Sequence, residues 1–357
     1  MDMGKIDPNF KIETKLDCPD AVFSNVLDPR FRIEGLIREE DGFVRMPSSI
    51  PAQISSSLQK LNRQLAGGQV RFRCDSSYIA LSLQMRCVGK MSHFPLTGSA
   101  GCDLYVRENG EEIFTGLFRP PFDIAESYEA KVNFKSNAMR EITINLPLYA
   151  GIRELYIGYQ EGSHFEPARP FTYEKPVAFY GSSITQGGCA SRPGNSYEAM
   201  LARELDFPQI NLGFSGNGKG ERIVAEHIAS LELSAFVLDY DANAPDPDYL
   251  LATHEPFFRV IREAQPELPI LMLSIPKFHL NEEYQRRRDI IRKTYENARA
   301  AGDKKVWFLS GQDLVAPPYA EMALVDGAHP NDLGFFAMAQ RIRPVLEKML
   351  RGESNED

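Results

Sequence analysis

The sequence predicts an α/β protein: a five-stranded, parallel, doubly wound domain preceded by an antiparallel β-sandwich of the jelly-roll kind. Three observations carry this. From about residue 31 to 167 apolar residues alternate with polar ones, as in strands buried on one side only. From Pro176 onward, continuous apolar runs alternate with amphipathic helical stretches, the pattern of a parallel sheet covered on both faces. Between the two lies "EPARPFTYEKP", with three prolines, which reads as a linker. The expected units are residues 1–172 and 173–357.

In the first unit, "GQVRFRC" places Val70, Phe72 and Cys74 on one face, against Gln69, Arg71 and Arg73. "YIALSLQMRC" does the same with Ile79, Leu81, Leu83, Met85 and Cys87. In "DLYVRENGEEIFTG", Asn109-Gly110 separates two such runs. Both residue types tolerate positive φ, so a two-residue hairpin turn is expected. Further strands are expected in "YEAKVNF", "EITINLPLY" and "ELYIGYQ", and one helix around "AQISSSLQKLNRQLA".

In the second unit the strand candidates are "VAFY", "INLGF", "AFVLDY", "ILMLSI" and "VWFLS". Tyr197, Met200, Leu201 and Leu205 share one helical face; Phe335, Met338, Ala339, Ile342, Val345, Leu346 and Met349 share another. Pro344 should kink or shorten that last helix. The terminal "RGESNED" should fray.

The chain has 357 residues, 43% hydrophobic and 25% charged, with a formal charge of −9. That is a globular composition, and nothing in it calls for a nucleic acid. The amino-terminal segment lacks the apolar core of a leader, and no stretch approaches the roughly 18 apolar residues of a membrane span. The five cysteines are widely spaced without a CxxC, so neither a disulfide framework nor a zinc site is suggested. A cytoplasmic protein with reduced thiols is expected, with no membrane partner; a homo-oligomer stays open.

In a doubly wound sheet, ligands sit outside the carboxyl ends of the strands. After the first strand comes Gly181-Ser182-Ser183, after the second "NLGFSGNGKG", after the third "DYDANAPD", and after the fifth "DGAHPND". Acyl transfer needs this set. A serine hydroxyl is a poor nucleophile until a base takes its proton; Ser183 is the candidate nucleophile and His329 the base. Asp326 would hold the imidazole tautomer and stabilise the imidazolium. Donors aimed at the developing oxyanion are worth about 3 kcal/mol each. The Ser183 N–H, the Gly216 N–H and the Asn243 side-chain amide are the candidates. No metal or cofactor is implied.

"GSSIT", "NLGFSG", "DANA" and "DGAH" resemble, in order, the four sequence blocks of the SGNH (GDSL-type) hydrolases. The resemblance aligns Ser183 with the catalytic serine, Gly216 and Asn243 with the oxyanion residues, and Asp326 and His329 with the D-x-x-H block. Position 182 is Ser where the family block has Asp, and 242 is Ala where many members have Gly. "LTGSAGCDLY" is similar to the G-x-D-L-Y signature of amino-terminal domains fused to one subgroup. The layout resembles two-domain bacterial carbohydrate acetylesterases. It implies a substrate such as an acetylated xylan- or mannan-type oligosaccharide; a lipid, thioester or other small ester on the same scaffold is the alternative. A non-catalytic carbohydrate-binding protein is the remote one.

Rival readings exist. Gly213 to Lys219 fits GxxxxGK, but the next residue is Gly220 where a phosphate loop needs Ser or Thr. Ser215 would need Gly at 217 to form a nucleophile elbow, and Asn217 stands there. Arg192 is a candidate contact to a sugar hydroxyl. His93, in the long loop "SHFPLTGSAG", is a candidate substrate residue if that loop leans over the catalytic edge. His227 and His254 read as helix residues, with an orienting or substrate role open for His254, and Cys189 as a small buried filler.

Overall fold

The computed structural model describes residues 14–318 and 320–355. The amino-terminal segment read above for a leader lies largely outside them. Among the described residues no helix is long and apolar enough to cross a membrane.

Among the described residues, twelve strands occupy the first half: β1 (Ala21–Asn25), β2 (Arg32–Glu34), β3 (Ile37–Glu39), β4 (Gly42–Val44), β5 (Gln69–Cys74), β6 (Tyr78–Val88), β7 (Cys102–Glu108), β8 (Glu111–Phe118), β9 (Ser127–Asn133), β10 (Arg140–Asn145), β11 (Ala150–Gln160) and β12 (Phe165–Glu166). One sheet runs β1-β11-β6-β9, the other β12-β5-β10-β7-β8 with β2 added on β5. Their pairings are antiparallel. Leu81 lies opposite Ile157, and Val70 opposite Ile144. These rows form one shared core, where each buried aliphatic side chain contributes about 1.5–3 kcal/mol. The turn at Asn109-Gly110 has φ of 53° and 90°, as a primed hairpin turn requires.

Two expectations need correcting here. The strands of the second sheet are not buried on one side only. Gln69, Arg71, Asp103, Thr143 and Asn145 point away from the sandwich core and are still buried. The linker and the following domain cover that face: the Arg71 guanidinium sits 3.8 Å from the centre of the Phe171 ring, and Asp103 accepts from the Gly194 N–H. The helix is also shorter than its sequence run. It spans α1 (Ser56–Asn62), capped by the Ser55 hydroxyl, with a separate 3₁₀ turn at Pro51–Gln53.

The second half holds β13 (Val177–Gly181), β14 (Gln209–Gly213), β15 (Ala235–Asp239), β16 (Ile270–Leu273) and β17 (Val306–Leu309). Its main helices are α2 (Tyr197–Leu205), α3 (Arg222–Ala229), α4 (Pro247–Ala264), α5 (Glu282–Ala300) and α6 (Asp332–Leu350). The sheet order is β14-β13-β15-β16-β17, with every pair parallel. Val177, Phe179, Val237 and Leu271 meet α2 and α6. Ala178, Tyr180, Leu238 and Met272 meet α3, α4 and α5. Burial on both faces is why the strands read as unbroken apolar runs. Because β13 pairs with both β14 and β15, the strand order reverses beside it, and a crevice opens at its carboxyl end.

Helix α6 runs unbroken through Pro344, against expectation. Pro344 lies on the solvent side, where the carbonyl left without an N–H partner is open to water. Nor does the tail fray as far as Asn355, whose amide donates to the Val306 carbonyl at 2.8 Å.

Candidate active site

The turn after β13 is built around Gly181. A Cβ there would lie 2.0 Å from Thr185 Oγ1 and 2.1 Å from the Asp239 carbonyl oxygen, so no larger residue fits. The chain then winds into a helical turn, with Gly188 N–H donating to the Ser183 carbonyl at 2.8 Å. Ser182 is buried and its hydroxyl accepts from the Ile184 N–H at 3.1 Å. Ser183 stands at the rim, half-buried.

Ser183 Oγ lies 2.9 Å from His329 Nε2. On the other side of the ring, His329 Nδ1 lies 2.8 Å from Asp326 Oδ2. Asp326 Oδ1 also accepts the backbone N–H groups of His329 at 2.8 Å and Ala328 at 3.0 Å. Burial pushes the Asp326 carboxyl upward, but these donors and the imidazole outweigh it and hold its pKa at about 2. An ionised carboxylate at Nδ1 assigns the proton to that nitrogen. The Nε2 lone pair then faces the Ser183 hydroxyl. The segment is pinned by Val325 N–H to the His329 carbonyl at 2.8 Å and by Asn331, which caps α6.

The oxyanion candidates are brought to the same edge in a different arrangement from the one expected. Gly216, at φ 67° with open space around its α-carbon, donates its N–H to Asn243 Oδ1 at 3.1 Å. Asn243 Nδ2 donates to the carbonyls of Phe214 at 2.8 Å and Gly218 at 3.0 Å. Two of the three donors are therefore satisfied by the protein itself. The Ser183 N–H has no acceptor among the described residues. The Asn243 loop is held by buried Arg287, which donates to the carbonyls of Asp241 at 2.7 Å and Ala244 at 2.9 Å. The Gly216 loop is held by Gln186, which accepts the Ser215 N–H at 3.0 Å and donates to the Leu148 carbonyl at 3.1 Å.

Sequence reasoning missed the residues that join the two halves. Asp103 and Tyr105 belong to "GCDLY", and that signature was the available signal. Asp103 is fully buried and accepts from Asn145 Nδ2 and the Gly194 N–H, each at 2.8 Å. Burial raises its pKa to about 6 against the pull of those donors and of Arg192 and Arg203. Thr97 donates to the Ser191 carbonyl at 2.6 Å, while the Ser191 N–H and Asn195 Nδ2 donate to Asp332 at 2.8 and 2.9 Å. The stretch from 191 to 195 is thus clamped between the sandwich and the start of α6, three residues after His329.

Arg192, read above as a candidate contact to a sugar hydroxyl, is engaged by the protein itself. Its head group is drawn to the joint, 3.5 Å from Asp103, 3.3 Å from the Tyr105 hydroxyl and 3.9 Å from the Phe114 ring centre. Coulomb attraction between a buried carboxylate and a neighbouring guanidinium is stronger at low dielectric than in water.

His93 does reach the site: its ring centre lies 5.6 Å from that of His329. Cys189 is buried, and burial together with the Asp326 charge pushes its thiol up to about 11, so it is no nucleophile. His93, Cys189 and His329 bring metal-ligating atoms within 4.8 Å of one another. Elsewhere, Lys219 N–H is taken by the Glu221 carboxylate at 3.1 Å, where a phosphate loop would hold its anion. His254 is buried against Thr294 at 2.9 Å with its pKa lowered to about 3 by burial, a structural group.

The sequence profile of the GDSL-like lipase/acylhydrolase family matches residues 174–347. That of the GxDLY amino-terminus of SGNH-hydrolase-type esterases matches residues 21–165. No curated protein matches the chain. Among solved structures, a protein of Bacteroides ovatus ATCC 8483 described as a GDSL-like lipase is similar at 27% identity and a TM-score of 0.83, covering 93% of this chain and 98% of that one. The salicylyl-acyltransferase SsfX3 of a tetracycline biosynthetic pathway is similar at 20% identity and a TM-score of 0.76, covering 93% and 98%. A family two carbohydrate esterase from Clostridium thermocellum, solved with cellohexaose, shares the fold at 14% identity and a TM-score of 0.62, covering 90% and 99%. With the two profiles in succession along one chain, the protein belongs to the GDSL-like lipase/acylhydrolase (SGNH) family, as an esterase whose hydrolase domain follows a GxDLY-type amino-terminal domain.

Proposed function

We propose that this esterase removes short acyl groups, chiefly acetyl, from carbohydrate hydroxyls through an acyl-serine at Ser183. The observation that carries the reading is the relay of 2.9 Å from Ser183 Oγ to His329 Nε2 and 2.8 Å from His329 Nδ1 to Asp326. Ser183 attacks the ester carbonyl as its proton passes to Nε2. The imidazolium, held by Asp326, returns that proton to the departing sugar oxygen. Water then repeats the sequence and releases the acid.

The tetrahedral oxyanion takes the Ser183 N–H first. Recruiting the other two donors means that Asn243 exchanges the Phe214 and Gly218 carbonyls for the oxyanion, and that the Gly216 N–H exchanges Asn243 Oδ1 for it. His93, whose ring centre lies 5.6 Å from that of His329, would meet the substrate from the sandwich side. The carbohydrate preference rests on the shared two-domain fold. In a cytoplasmic setting it points to oligosaccharides over polymer.

The test is acetate release from acetylated xylo- and manno-oligosaccharides, beside a chain-length series of nitrophenyl esters. Wild type should release acetate, and Ser183→Ala should fall by about 10⁴-fold or more. An optimum at long acyl chains would favour a lipid ester instead. Retained hydrolysis in Ser183→Ala would remove the mechanism.

A further inference from the structure

His93, Cys189 and His329 come from three distant segments: a sandwich loop, the turn after the nucleophile and the turn before α6. Two imidazoles and a thiol meet there with their ligating atoms within 4.8 Å. Three features make this more than a chance approach of rings. The ring of His329 is already oriented by Asp326 at its Nδ1, the carboxylate–histidine arrangement that commonly supports a metal-bound imidazole. Cys189 sits at φ 78°, one of three non-glycine residues with positive φ among the described residues, and such strain persists where surroundings or function impose it. His93 is exposed, so an ion has a way in.

We propose that these three side chains form a binding site for Zn²⁺ or a similar borderline-soft divalent cation, and that the ion switches hydrolysis off. Tetrahedral Zn²⁺ binds nitrogen at about 2.0–2.1 Å and thiolate sulfur at about 2.3 Å. Closing from 4.8 Å onto such an ion takes a small inward movement, which the exposed His93 supplies. On binding, Cys189 loses its S–H proton to solvent and coordinates as thiolate. His93 and His329 each give a nitrogen lone pair, and water fills the fourth position. No electron is transferred. The lone pair that would accept the Ser183 proton is then held by the metal, and the nucleophile is left without a base. Two nitrogens and one sulfur suit zinc over the oxygen-seeking Mg²⁺ or Ca²⁺.

The test uses the full chain stripped of metal with a chelator. Titration with ZnCl₂, followed by heat, should show one ion per chain. Turnover of a nitrophenyl ester should fall in parallel and return with EDTA. Co²⁺ in place of zinc should show a thiolate-to-cobalt absorption band. His93→Ala and Cys189→Ala should each weaken zinc binding by about tenfold or more. Cys189→Gly, which suits the positive φ, should bind as weakly while hydrolysing normally without metal, which guards against misfolding in the alanine variant. Binding equal to wild type in His93→Ala and Cys189→Gly, no saturable binding up to millimolar zinc, or a cobalt complex without the thiolate band would each overturn the proposal. Heat and absorption do not depend on turnover, so a failure of the acetyl-ester reading is told apart from a failure of this one.

Discussion

The Asp103 carboxylate, on β7 of the sandwich's second sheet, accepts the Gly194 N–H at 2.8 Å across the joint between the two halves. Its other donor, Asn145 Nδ2, lies on the neighbouring strand. One side chain therefore fixes the stretch that carries Ser191, and through Asp332 the start of α6 just beyond His329.

Asp103→Ala should lower both stability and turnover. It leaves two buried donors without an acceptor, each worth about 1–3 kcal/mol. The change is read as a fall in Tm together with a fall in kcat. Loss of stability with wild-type kcat would separate the joint from the site.

The same group predicts a pH dependence of stability. Its folded pKa, about 6, lies above that of an unfolded aspartate, about 3.9. Between these values the unfolded chain has released the proton and the folded one has not, so folded stability falls as pH rises from about 4 to 6. The contribution is on the order of 3 kcal/mol. Asp103→Asn removes it. Plotted against pH, the Tm difference between Asp103→Asn and wild type should shift in favour of the variant across that window. A flat difference would mean the carboxyl is already ionised at pH 4.

The relay itself predicts that Asp326→Asn lowers kcat by about 10²–10⁴-fold at neutral pH with little change in KM, since the amide offers Nδ1 the wrong tautomer. Asp326 stays ionised down to about pH 2. Any loss of wild-type activity between pH 7 and pH 4 must therefore come from other groups.

Asn243→Ala tests the oxyanion arrangement. If Asn243 turns to the oxyanion in the transition state, kcat falls by about 10²–10³-fold. If it serves only Gly216, Phe214 and Gly218, the loss appears chiefly as a lower Tm. Steady-state kinetics beside a melting curve decides between them.

The strands of the parallel sheet were legible because burial on both faces leaves an unbroken apolar run such as Val177–Tyr180. Ser183, Asp326 and His329 were legible because each follows a strand whose end the topology sends to one edge. The joint was not. Arg71, Asp103 and Asn145 occupy the outward positions of an alternating strand, and a local pattern cannot report that a segment some 90 residues away will cover them. The hydrogen-bonding choice of Asn243 was hidden for a similar reason: it depends on the carbonyls of Phe214 and Gly218, which carry no side-chain signature. Pro344 continued its helix because the carbonyl it leaves without a donor, on Gln340 one turn earlier, is on the solvent side.

Arg45 gives the last prediction, and it concerns how far the hydrolase domain depends on the sandwich. Arg45 is buried and comes from the chain just after β4. Its guanidinium donates to the carbonyls of Gly213, Asn211 at 3.3 Å and Leu61 at 2.8 Å, and lies 4.3 Å from the centre of the Phe214 ring. No carboxylate forms an ion pair with it among the described residues, and burial lowers its pKa to about 9. The buried cation ties carbonyl oxygens at the end of β14, three residues before Gly216, to the Leu61 carbonyl of α1. Arg45→Met keeps much of the volume, removes the buried charge and frees those carbonyls. Relief of the charge offsets part of the lost hydrogen bonding, so Tm should fall modestly. The Gly216 loop, no longer tethered, should lose order, and kcat should fall by about tenfold or more, a misplacement penalty that reaches about 10²-fold for 1 Å. A variant with lower Tm and unchanged kcat would show that Gln186 and Asn243 hold the loop without Arg45. A variant with unchanged Tm and reduced kcat would show that the sandwich acts on catalysis through this one side chain.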